Sequence, residues 1–137
     1  MPGYTASMGF FDWLRGGGRK SVGKGGIRLE WSGLTTAPSD GDERGADWAR
    51  VEALLQRFLA EPPTSDAFFI IGVSEMTYLQ GVWEEGSIHL EHQQGSMDRH
   101  FECTQPVDRG LLLDLARLFV DNPASIEAAA SWAPMEL

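Results

Sequence analysis

The stretch 68–103 constrains the fold of this chain more than any other. Four runs rich in Ile, Val, Phe, Tyr and Trp follow one another at 67–73, 77–83, 87–93 and 99–103. Short segments carrying Ser74-Glu75, Glu84-Glu85-Gly86 and Gln94-Gly95-Ser96 separate them. β-Branched and aromatic side chains suit a pleated, half-buried surface, and connections this short join antiparallel neighbours. The pattern predicts an antiparallel meander. Phe68-Phe69-Ile70-Ile71 is apolar without alternation, as in a central strand covered on both faces. In the next run Thr77, Leu79, Gly81 and Trp83 share one face, and Tyr78, Gln80 and Val82 the other. Ile88 and Leu90 alternate with His89, Glu91 and Gln93, and Phe101 and Cys103 with His100 and Glu102. The last two strands are therefore expected to have one wet face each.

The flanking sequence supplies the rest of a domain. Ile27, Leu29 and Trp31 alternate with Arg28 and Glu30, which predicts a short strand over 27–31. Residues 32–45 read as loop, being rich in Gly, Thr, Pro, Ser and Asp. Within them Asp40-Gly41-Asp42-Glu43 resembles part of a calcium loop but lacks its Asp/Asn spacing and distal Glu. A helix is predicted over 46–60. Trp48, Val51, Leu54, Leu55, Phe58 and Leu59 form its stripe, Asp47 lies at its start, and Pro62-Pro63 stops it. A second helix over 107–120 buries Leu111, Leu112, Leu115, Leu118 and Phe119 and ends at Asp121-Asn122-Pro123. A short Ala-rich helix over 125–131 and a packed Trp132 follow. The expected fold is α+β: an antiparallel four- to five-stranded meander sheet with two main helices packed on one face.

Residues 1–25 read as a flexible basic leader ahead of a single domain at 26–137. Phe10, Phe11, Trp13 and Leu14 suffice for one amphipathic turn, Gly16-Gly17-Gly18 ends it, and Arg19, Lys20 and Lys24 follow. The segment is either a docking or membrane-surface anchor or a frayed terminus, and composition favours the terminus. Deleting it is expected to leave stability nearly unchanged.

The formal charge is −9, unevenly spread. Residues 1–28 carry five bases against one acid; the remainder carries six bases against nineteen acids, a net of −13. An acidic body repels phosphate backbones and favours basic partners, so nucleic acid is not an expected ligand. No run approaches the roughly 18 apolar residues of a membrane span, and no signal-peptide pattern occurs, so a cytoplasmic protein is expected. The one cysteine, Cys103, reads as a small buried apolar residue.

Chemistry-bearing residues gather on the expected wet face of the last two strands. If Gln93 stands opposite Asp98, Glu91 faces His100 and His89 faces Glu102; with a tighter turn His89 faces His100. Both registers keep His89, Glu91, His100 and Glu102 on one face. Two imidazoles and two carboxylates could bind a divalent metal or work as acid and base. They could equally be a solvated hairpin face bearing cross-strand charge pairs. A flat sheet face lacks the concave pocket catalysis needs, whereas an acidic, imidazole-bearing face suits protein binding. Glu84, Glu85 and Asp98 in the adjoining turns extend that candidate surface. No nucleophile elbow, Cys-x-x-Cys, His-Glu-x-x-His or phosphate loop occurs, so no cofactor and no catalytic residue is expected.

Tyr78-Leu79-Gln80, Leu90-Glu91-His92 and Gly95-Ser96-Met97-Asp98-Arg99-His100-Phe101, followed by a helix and a late Trp, resemble a pattern in small acidic bacterial proteins. Some of these look like immunity or accessory proteins that accompany polymorphic toxins. The resemblance covers about residues 68–132 and implies a non-enzymatic protein-binding protein that masks a basic toxin or effector. It carries over no catalytic residue. The alternative expectation is a small metal-binding protein or hydrolase using the His/Glu cluster.

Overall fold

A computed structural model describes residues 26–135. The expectations for the leader, including the turn at Phe10–Leu14 and the basic tract, fall outside these residues.

The elements run β1 (Ile27–Ser32), β2 (Gly41–Ala46), α1 (Trp48–Leu59), β3 (Phe68–Ser74), β4 (Thr77–Glu84), β5 (Ser87–Gln94), β6 (His100–Cys103), α2 (Arg109–Asp121), a 3-10 turn (Pro123–Ala128) and β7 (Trp132–Pro134). They form an α+β fold around one antiparallel seven-stranded sheet, ordered β2-β1-β3-β4-β5-β6-β7. The meander β3–β6 lies where alternation and turns place it. Glu85 (φ 53) and Gly86 (φ 86) make the two-residue turn between β4 and β5, and paired left-handed residues match the twist of the strands they join.

Seven strands replace the expected four or five. β2 occupies part of the stretch read as loop. It is an edge strand whose only buried residue is Ala46, so it carries no apolar alternation to announce it. What it needs instead is Gly41: a Cβ there would come within 2.6 Å of the Trp31 ring. β7 pairs only with β6 over three residues, and its Trp132 packs against the core as expected. The loop between β1 and β2 is tied internally. Asp40 accepts bonds from Ser32 Oγ (2.7 Å) and Gly33 N (3.1 Å), and Glu43 pairs with Arg50 at 2.7 Å.

Both helices begin on an aspartate. Asp47 accepts from Arg50 N, and Asp108 from Leu111 N, satisfying donors that a helix start leaves open. Their stripes meet one sheet face. Val51, Leu55, Phe58, Leu112, Leu115 and Phe119 are fully buried in one cluster with Leu29, Phe69, Ile71, Leu79 and Leu90. Phe58 stands edge-on to Phe69 and stacked on Trp83, at 4.9 and 5.5 Å between centroids. Gly81 leaves the space the Phe69 ring fills, since a Cβ there would lie 2.6 Å from Phe69 Cε2. Leu118, expected on this stripe, is instead exposed.

Candidate functional site

The face of the sheet opposite the helices is built from three cross-strand rows. One runs Arg28, Gly72, Tyr78, Gln93, His100; the next Glu30, Ile70, Gln80, Glu91, Glu102, Ala133; the third Ser32, Phe68, Val82, His89. The expectation of a wet face fails for the first row and for the second as far as Glu91, while Glu102 at its β6 end stays partly exposed. Glu91 is 2% exposed, and Gln93 and His100 are fully buried. Alternation shows which residues share a face; it carries no information about what lies over that face.

Glu91 is the centre of the site. Its Oε1 accepts from Gln80 Nε2 at 2.9 Å and lies 2.8 Å from His100 Nε2; its Oε2 lies 2.6 Å from His89 Nε2. The register explains the clasp. Gln93 pairs with His100 and Glu91 with Glu102, two residues looser than expected, because β5 extends to Gln94 and the turn spans 95–99. The shift is even, so His89, Glu91, His100 and Glu102 keep one face, but both imidazoles now reach the same carboxylate diagonally. Burial pushes the Glu91 carboxyl upward; the bonds from His100 and His89 overcome it and bring its pKa down to about 2. The bond to Glu91 raises His89 against the opposing effect of its own burial.

Toward the third row the face opens. His89 and Glu84 are each 19% exposed at the side chain and Glu102 37%. His89 Nδ1 lies 3.8 Å from Glu84, and its Nε2 lies 3.9 Å from Glu102. Glu85 is exposed in the adjoining turn. Asp98 is exposed in the turn at the other end of β5, so the structure does not bring it to this cluster.

Sequence reasoning missed Arg28 and Glu30. Their alternation with Ile27, Leu29 and Trp31 reads as a solvent face, yet both are 1% exposed, with Arg28 Nε 2.9 Å from Glu30 Oε2. Gly72 makes room for the guanidinium, since a Cβ there would sit 2.7 Å from Arg28 Nη2. Tyr78 and Gln93 extend the polar layer through a 3.3 Å bond, and Gln93 reaches Met76 O at 3.2 Å. A separate pocket of about 220 Å³ lies between α1 and the β1–β2 loop, lined by Trp31, Pro38, Arg50 and Arg57 among others. Both arginines are bonded within the fold, Arg50 to Glu43 and Arg57 to Thr36 and Pro38.

His92 points the other way, into the core, stacked on Phe101 at 5.0 Å and edge-on to Trp132 at 4.4 Å. Burial first, then the charges of His100 and Arg99, lower its pKa to about 4. The folded state holds it neutral, whereas the unfolded chain protonates it near its ordinary 6.5. Protons therefore favour unfolding, and the loss grows as pH falls from about 6.5 to about 4. His92→Phe should remove this loss. Relative to the parent, the variant should gain about 2–3 kcal/mol between pH ~7.5 and ~4.5 in urea unfolding. A stability difference independent of pH would show that His92 titrates normally in the fold.

Comparison with family models, with curated proteins and with solved structures finds no match. Function therefore has to be argued from the site.

Proposed function

We propose that the chain is a non-catalytic, cytoplasmic protein-binding domain of the immunity or accessory type, and that it meets a basic partner through the open rim of the polar face. One observation carries this reading. Glu84 and Glu102 flank His89, whose side chain is 19% exposed, Glu85 lies in the adjoining turn, and among the described residues none of the three pairs with a lysine or arginine. Such a rim offers three carboxylates to one imidazole, a negative excess that speeds encounter with a basic surface and selects against acidic ones. Glu91 and His100 serve the rim from beneath. They are buried, and their bonds fix His89 from inside the sheet.

The metal or hydrolase reading has less support. Both imidazoles direct Nε2 at one carboxylate, so one nitrogen of each ring is engaged with Glu91. Among the described residues no group of three or more His, Cys, Asp and Glu is arranged to hold a metal ion.

The test is charge reversal at the rim. The tagged full chain should retain a basic protein from its host. Glu84→Lys with Glu102→Lys should slow that association by on the order of tenfold and flatten its salt dependence, with thermal unfolding unchanged. Retention and salt dependence equal to the parent's would place the interface elsewhere.

A further inference from the structure

The pocket between α1 and the β1–β2 loop lies on the helix side of the sheet, away from the polar face and its rim. Its lining is apolar over Leu29, Ala53, Leu54 and Pro38, with the Trp31 ring among them. Arg50 and Arg57 bring two guanidiniums to the same lining. Sites for drug-sized ligands hold about 300–1,000 Å³. This one, at about 220 Å³, suits a single aromatic ring with a short substituent.

The groups that give the pocket its chemistry are held in advance by the fold. Trp31 Nε1 donates to Pro38 O at 3.1 Å, and the missing side chain at Gly41 leaves room for the ring. Arg57 Nη2 donates to Thr36 O at 2.9 Å and to Pro38 O at 2.8 Å. Arg50 gives Nε and Nη2 to the Glu43 carboxylate at 3.0 and 2.7 Å. Side chains already fixed lose little freedom when a ligand arrives.

The two arginines differ in charge balance. Arg50 is matched by Glu43, with Asp47 close enough to add to the effect. Arg57 is bonded only to the neutral oxygens of Thr36 and Pro38. Among the described residues it has no carboxylate partner, and its Nη1 makes no hydrogen bond. A half-buried guanidinium with unmatched charge, beside an indole and aliphatic side chains, fits an anion carried on an apolar body. A carboxylate matches the planar donor edge of arginine. An inorganic anion would leave the apolar lining unused, and a neutral apolar ligand would leave Arg57 unmatched.

We propose that this pocket binds a small aromatic carboxylate, with the ring against Trp31, Leu29 and Leu54 and the carboxylate on Arg57. The site does not depend on the proposed partner, whose rim at Glu84 and Glu102 lies on the other face of the sheet, so either can fail without the other.

An NMR titration of the isotope-labelled full chain tests this. Phenylacetate should shift the Trp31 Nε1–H and Ala53 amide signals saturably, with Kd on the order of 1 mM. Phenylacetamide has the same shape without the charge and should bind about tenfold more weakly or worse, as should acetate, which lacks the ring. Arg57→Gln should weaken phenylacetate by about tenfold or more. Arg57 also ties the β1–β2 loop, so Ala53→Leu supplies a second variant. Ala53 is exposed on α1, and leucine there narrows the pocket without touching a loop bond. It should abolish the shifts and keep the parent's thermal unfolding. Absence of a saturable shift up to about 20 mM phenylacetate would overturn the proposal. So would equal affinity for phenylacetate and phenylacetamide, or undiminished binding by Ala53→Leu.

Discussion

Glu91→Leu should lower the unfolding free energy by about 3–5 kcal/mol near neutral pH, the range for removing one partner of a buried, hydrogen-bonded ionic group. The carboxylate takes three bonds, from Gln80, His89 and His100, at 2.6–2.9 Å in a 2% exposed position. Leucine would leave two imidazole nitrogens and an amide facing a side chain that accepts nothing. Glu91→Gln should cost less, since one carbonyl oxygen remains and the amide can donate to a neutral imidazole. Urea unfolding of both variants measures the difference. A leucine variant within about 1 kcal/mol of the parent would mean the clasp contributes little.

The clasp also sets a pH window. The Glu91 pKa lies at about 2 in the fold against an ordinary 4.5, so its contribution is present above about 4.5 and is lost as pH falls toward 2. His89 is raised above its ordinary 6.5, so its contribution is present below 6.5 and is lost as pH rises through the folded value. The two overlap between about 4.5 and 6.5, where His92 acts in the opposite sense. Glu91→Gln should bring the His89 titration, read from its imidazole proton shifts, back toward the ordinary value. An unmoved titration would show that Glu84 and Glu102 hold the charge.

The meander was legible because two independent signals agree at β3–β6: alternation along each strand and turn residues between strands. The helices were legible for a similar reason, since the stripes of Leu54–Phe58 and Leu112–Phe119 begin at capping aspartates and end near prolines. β2 was not, because Gly41-Asp42-Glu43-Arg44-Gly45 buries none of its side chains and an edge strand is specified by backbone pairing. The candidate cluster was found through its period of two. Its character was misread for the reason that also hid Arg28 and Glu30. Polar residues in alternation look the same whether water or another layer lies above them, and a buried ion pair at i, i+2 on one strand leaves no mark in composition. The register was open to a slip of two residues, because such a slip changes partners without changing faces.

Leu115→Ala should cost about 2–5 kcal/mol, through lost burial and the cavity left behind. Leu115 is fully buried on α2 between Leu112 and Phe119, in the one cluster that also holds Leu54, Ile71 and Leu90. α2 touches both α1 and the 3-10 turn, so in a close-packed core the neighbours of Leu115 cannot collapse freely into the void. Leu118→Ala, on the same helix but 36% exposed, supplies the control and should change stability by no more than about 0.5 kcal/mol. Calorimetry or urea unfolding of the pair separates packing from helix propensity, because both changes replace leucine with alanine in one helix interior. Equal effects would mean that α2 rests on the sheet without interlocking with it.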